Sequence, residues 1–144
     1  MADNYLERKM EERRDGGRRV VHVVSNPAGT LVVKFPFASV MVIAHKADER
    51  TALLLSRLTS TGAKVGLAGA DADAARRVAK ARGATFVPQT DADEARAMFA
   101  GIVAEPELVL FDEGDDGIRA HMGERTLALG TDVEKALLRL LLEI

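Results

Sequence analysis

The sequence predicts a three-layer α/β domain, a doubly wound parallel sheet with an N-terminal helical arm and a β-hairpin set in front of it. Three observations lead there. From Ala38 onward, short apolar runs alternate with segments of helical period, and short connections join them. The first of these runs, Ser39–Ala44, carries no polar alternation, as expected of a strand covered on both faces. Finally, 47% of the residues are AVILMFWYC but only 4% are aromatic, so the core has to be built from Val, Leu, Ile and Ala, as where helices pack on a parallel sheet.

Residues 1–17 form the first unit. Within them, residues 3–15 read as a helix rich in Glu, Arg and Lys, with a sparse apolar stripe of Tyr5, Leu6 and Met10, closed by Gly16 and Gly17. Residues 18–37 form the second. The β-branched runs Val20–Val24 and Leu31–Phe35 are joined by Ser25-Asn26-Pro27-Ala28-Gly29, a strong turn signal, and predict the hairpin.

Residues 38–144 are the α/β domain. Ser39–Ala44 is the first core strand, and Asp48–Ser60 a helix with Leu54, Leu55 and Leu58 on one face. Lys64–Gly69 and Asp71–Arg82 repeat the unit, as do Thr85–Pro88 and Asp91–Val103, whose Ala95, Met98, Phe99 and Ile102 fall at i, i+3, i+4 and i+7. Leu108–Phe111 is a fourth strand. An acidic loop separates it from a fifth, Arg125–Leu129, and Thr131-Asp132-Val133-Glu134 reads as a capping box opening the last helix. Leu138 and Leu142 widen that helix's apolar face beyond one stripe. A face so wide is expected to be buried on two sides, a second subunit being the candidate for one of them.

Charge and composition narrow the function. With 20 basic and 22 acidic residues the net charge is −2, so no broad cationic surface is on offer to nucleic acid. The absence of cysteine removes disulfides and thiolate metal sites and fits a reducing compartment. The charged start, MADNYLERKMEERRDGG, reads as neither a signal peptide nor a membrane span. A cytoplasmic protein without a membrane or nucleic-acid partner is the expectation.

The stretch GAKVGLAGADADAARRVAKARGATFVPQTDADEARAMF resembles the first half of the short-chain dehydrogenases/reductases, with SVMVIAH standing where that family's first strand enters its glycine loop and ELVLFDEG where a strand ends in an NNAG-type motif. The resemblance covers roughly residues 39–114. It implies a Rossmann-like fold, NAD or NADP as cofactor, and oxidoreductase ancestry.

The residues that the family's chemistry needs are largely missing. A pyrophosphate has to approach the backbone closely at the first strand–helix turn, which glycine permits. Here that turn reads Ala44-His45-Lys46-Ala47-Asp48-Glu49-Arg50, with no glycine between Gly29 and Gly62. Asp48 and Glu49 themselves complement the helix dipole where a phosphate would lie. Phe111-Asp112-Glu113-Gly114 keeps only the glycine of the NNAG position. Tyr5 and Lys9 have the YxxxK spacing but precede the hairpin, on the wrong side of the chain for the family's catalytic pair, so Tyr5 reads as an apolar anchor of the arm.

The expectation is therefore a degenerate, shortened, non-catalytic relative with no cofactor, acting by association with itself or with a larger homologous subunit. The alternative is NAD, NADP or another nucleotide held without glycines by His45, Lys46, Arg50 and Asp71, although Asp71 equally reads as a helix cap. Asp112-Glu113-Gly114-Asp115-Asp116-Gly117 departs from a calcium loop at Gly114 and Gly123 and reads as a solvated acidic turn, with no metal site. Of the three histidines, His22, His45 and His121, only His45 falls at the first crossover.

Overall fold

In a computed structural model of the chain, residues 22–25 and 31–34 are described as backbone, and residues 37–89 and 91–143 in full. The arm at residues 1–17, with Tyr5 and Lys9, lies outside the described residues. Within the predicted hairpin, β1 (His22–Ser25) and β2 (Leu31–Lys34) pair antiparallel as a separate two-stranded sheet.

The main sheet has six strands in the order β5-β4-β3-β6-β7-β8, flanked by four helices. Its elements are β3 (Ser39–Ala44), α1 (Glu49–Ser60), β4 (Lys64–Gly69), α2 (Ala72–Arg82), β5 (Thr85–Phe86), α3 (Ala92–Ile102), β6 (Leu108–Asp112), β7 (Ile118–Met122), β8 (Arg125–Gly130) and α4 (Val133–Glu143). β3 pairs in parallel with β4 and β6, and β4 with β5. β7, however, runs antiparallel to both β6 and β8. The sheet is thus mixed, and the wholly parallel sheet expected from sequence is corrected.

The cause lies just after the acidic loop. Ile118, Ala120 and Met122 alternate with Arg119 and His121, a period-two pattern that makes a half-covered strand. β7 is joined to β8 by Gly123 and Glu124, the two residues between the paired Met122 and Arg125. Gly123 has φ +60°, and among the described residues none other than glycine has positive φ, so the loop is of the class with glycine at its first position. So short a link forces the two strands antiparallel.

Helix boundaries follow their caps. Asp48, Asp71 and Asp91 each accept a hydrogen bond from the first turn of α1, α2 and α3, and Gly83 closes α2 in the left-handed conformation. The last helix corrects the expected capping box: Lys135 N donates to Asp132 Oδ1 at 3.0 Å, so Asp132 caps α4 and Thr131 does not. Glu134, the other half of the expected box, instead accepts from Arg57 Nε of α1 at 2.6 Å.

Alternate residues of β3 divide between two apolar clusters. Val40, Val42 and Ala44 join Leu54, Leu55 and Leu58 of α1, Ala75 and Ala79 of α2, and Val133, Ala136, Leu137 and Leu140 of α4. Met41 joins Ala68, Val87, Val109 and the Ala95–Phe99 stripe of α3. Among the described residues, three helices therefore share one cluster while α3 alone serves the other. Leu138 and Leu142, which widen the face of α4, are half-buried.

Candidate functional site

β3 and β6 lie side by side at the centre of the sheet, and from β3 the chain proceeds outward to β4 and β5 before returning to β6. The C-terminal ends of these two strands are where an open α/β sheet leaves a crevice. A cleft of about 410 Å³ opens there, lined by Ile43, Ala44, His45, Gly69, Ala70, Phe111, Asp112, Glu113 and Asp116. A second, of about 460 Å³, adjoins it through His45, Glu113 and Asp116 and reaches Lys46, Asp48 and Arg50.

Asp112 ends β6 and is the only carboxylate among the buried polar and charged residues of the described chain, at 2% exposure. Its Oδ1 accepts from Arg50 Nε at 3.0 Å and from Arg50 Nη2, and its Oδ2 accepts from Thr51 Oγ1 at 2.8 Å. Arg50 Nη2 also donates to the carbonyl of Gly114. Backbone adds a further tie, His45 N donating to Asp112 O at 2.8 Å. The first turn of α1 is thereby locked onto the end of β6, which a buried carboxylate needs if its lost hydration is to be replaced.

Of the four residues singled out in the sequence, His45, Lys46 and Arg50 line the second cleft. His45 and Lys46 are exposed, whereas two guanidinium nitrogens of Arg50 are committed to Asp112 and Gly114. Asp71 is not among the lining residues, and its carboxylate accepts from Ala74 N at 3.1 Å as the cap of α2. The amino ends of α1 and α2 are thus both occupied by carboxylates of the chain itself, and Asp48 accepts from Arg50 N at 3.1 Å. An anion at either end would meet a like charge.

The acidic turn is tied down unevenly. Glu113 Oε2 lies 3.1 Å from Arg119 Nη2, while Asp115 and Asp116 stand exposed on a single 3₁₀ turn, Gly114–Asp116. Among the described residues no group of three or more His, Asp or Glu side chains is placed to hold a metal ion. Beside the turn, the Arg119 guanidinium sits 5.1 Å above the Phe111 ring and the His121 ring 4.7 Å from it. The acidic run before β7 hides this cluster from a reading of the sequence; the alternation Ile118 to Met122 is the signal that points to it.

Gly117 fixes the turn. Its φ of +88° and ψ of −163° belong to a region essentially restricted to glycine, and a Cβ there would stand 2.8 Å from Gly130 O. Gly117→Ala is expected to cost at least about 2 kcal/mol and to loosen residues 112–117, to be read by thermal denaturation and by faster amide exchange of Glu113, whose N–H donates to Gly117 O. An unchanged melting temperature would show that the turn relaxes at no cost.

No family model, curated protein or solved structure gives a significant match to the chain. Among the described residues no helix is long and apolar enough to cross a membrane.

Proposed function

We propose that the chain is a degenerate, Rossmann-like domain related to the short-chain dehydrogenases, with a three-layer doubly wound core, and that it acts by association and not by catalysis. The order β5-β4-β3-β6 and the two clusters divided by β3 support the doubly wound reading. The observation that carries association is the edge strand β8. It pairs only with β7 among the described strands, and its Thr126 and Ala128 are exposed.

The opposite edge differs. β5 is two residues long and is followed at once by Val87 and Pro88, a short edge with a proline, which is how sheets discourage pairing. β8 reads Arg125-Thr126-Leu127-Ala128-Leu129-Gly130, with no proline and no charge after Arg125. An edge left so open is a template for a further strand.

A second reading, a nucleotide or NAD(P) site using His45, Lys46 and Arg50, is favoured by the cleft at the ends of β3 and β6. Against it stand the carboxylate caps of α1 and α2 and the engagement of Arg50 by Asp112. Sedimentation velocity and a thermal-shift titration with NAD, NADH, NADP, NADPH and adenine nucleotides separate the two. Association predicts a stable oligomer and no shift at millimolar ligand; a monomer with a saturable shift at micromolar ligand would reverse the order of the readings.

A further inference from the structure

Resting on the association reading, we infer that two copies of this chain join β8 to β8 in antiparallel register, with Leu127 of each copy facing Leu127 of the other across a two-fold axis. The partner is a second copy of the chain, and the two six-stranded sheets become one.

The register follows from the hydrogen-bond pattern. In a two-residue hairpin the residues flanking the loop, here Met122 and Arg125, exchange both backbone hydrogen bonds, and exchange alternates along the ladder. Ala120 and Leu127 therefore exchange as well, and the N–H and C=O groups of Thr126 and Ala128 face away from β7. The register shifts at Ile118/Arg119, where Ile118 pairs with Gly130 and Arg119 with Ala128, so Leu129 is an extra residue. Gly130, at φ +88°, is not extended. Regular strand available to a partner is thus confined to Arg125–Ala128.

Within that segment the two outward-facing residues pair best with each other. Thr126 opposite the second copy's Ala128, and the reverse, engages all four outward groups on each strand and sets Leu127 on the axis. A register centred on Ala128 would need the non-extended Gly130 and would bring Glu124 opposite Asp132, two like charges. In the chosen register Glu124 faces Gly130 and Arg125 faces Leu129, so no like charges oppose. Leu127 is half-buried in the single chain and touches the apolar cluster beneath α4; its own copy would cover the remainder. A self-complementary patch of this kind closes on itself at two copies.

The chain has no cysteine, which makes the register directly testable in the full-length protein. Directly opposed residues of a non-hydrogen-bonded pair are about 4.5 Å apart at Cα, within disulfide range. Leu127→Cys is expected to give a covalent dimer under mild oxidation, seen on a non-reducing gel. Thr126→Cys is not, because its counterpart is displaced by two residues, at about 7–8 Å. Sedimentation of the unmodified protein completes the experiment. A dimer whose Leu127→Cys form fails to cross-link overturns the β8 pairing and leaves association standing. Cross-linking through Thr126→Cys alone overturns the register, and a monomer at all concentrations overturns both the pairing and the association on which it rests.

Discussion

Replacing Asp112 by Ala is expected to lower stability by about 3 kcal/mol, a fall in melting temperature on the order of 10 °C for a chain of this size. Asp112 is 2% exposed, and all of its partners are named groups: Arg50 on one oxygen, Thr51 on the other. Deleting the carboxylate takes the charged acceptor from a partly buried guanidinium, which keeps only the Gly114 carbonyl, and leaves the Thr51 hydroxyl with the Lys46 carbonyl at 2.9 Å. The loss falls at the low end of the range for broken buried pairs because the Arg50 side chain is 20% exposed and can regain some water.

The same reasoning orders a second variant. Arg50→Met strands the carboxylate, which has almost no access to water, so it should cost more than Asp112→Ala. The double variant should cost less than the sum, since neither charge is left alone. A strictly additive cycle, measured by urea denaturation, would show that the two groups do not depend on each other. The variants also bear on function. Arg50 released from Asp112 becomes an available cation in the cleft with His45 and Lys46. If adenine nucleotides shift the melting point of Asp112→Ala but not that of the parent, the ion pair is what closes the cleft to anions.

Phe99→Ala is expected to be as damaging, by about 3–5 kcal/mol. Phe99 is fully buried in the smaller cluster, where among the described residues α3 is the one helix on the sheet, so no second described helix is placed to collapse into the space. Its ring lies against Gly66 of β4: a Cβ built there would stand 2.6 Å from Phe99 Cδ1 and 3.0 Å from Met41 Sδ. Glycine at position 66 is therefore explained by packing and not by backbone conformation. Gly66→Ala alone should destabilise by about 1–3 kcal/mol through overpacking, yet partly rescue Phe99→Ala, because the methyl enters the vacated space and Met41 is flexible enough to move aside. Failure of the rescue would mean that α3 shifts to fill the cavity itself.

Much of this fold is legible in the chain. Asp48, Asp71 and Asp91 stand immediately before helices whose starts they cap, and Gly83 ends α2 where the sequence places the stop. β3 and β4 span the residues read as strands, because an apolar run bounded by turn residues has few other uses. These are local signals, complete within a turn or a strand. The capping box failed for a related reason: Thr131 and Asp132 are adjacent candidates, and the contact of Glu134 with Arg57, 77 residues earlier in the chain, draws away the partner that Thr131 would need.

The direction of β7 was also written locally, in the period-two pattern and the Gly123-Glu124 loop, but the four carboxylates before it resemble a solvated loop and masked the strand. The candidate site was legible only in part. Sequence brought His45, Lys46 and Arg50 to one strand–helix turn, since three neighbours on a chain remain neighbours in space. That Arg50 turns to Asp112, 62 residues away, and not toward solvent is a tertiary decision. Burial at the meeting of β3 and β6 makes an unpaired carboxylate costly enough to claim the nearest guanidinium. The openness of the β8 edge is likewise a property of strand order, which no single segment contains. Periodicity, caps and turns set where each element begins and ends; only the assembled sheet decided which charge is spent inside and which of the described strands stands at the edge.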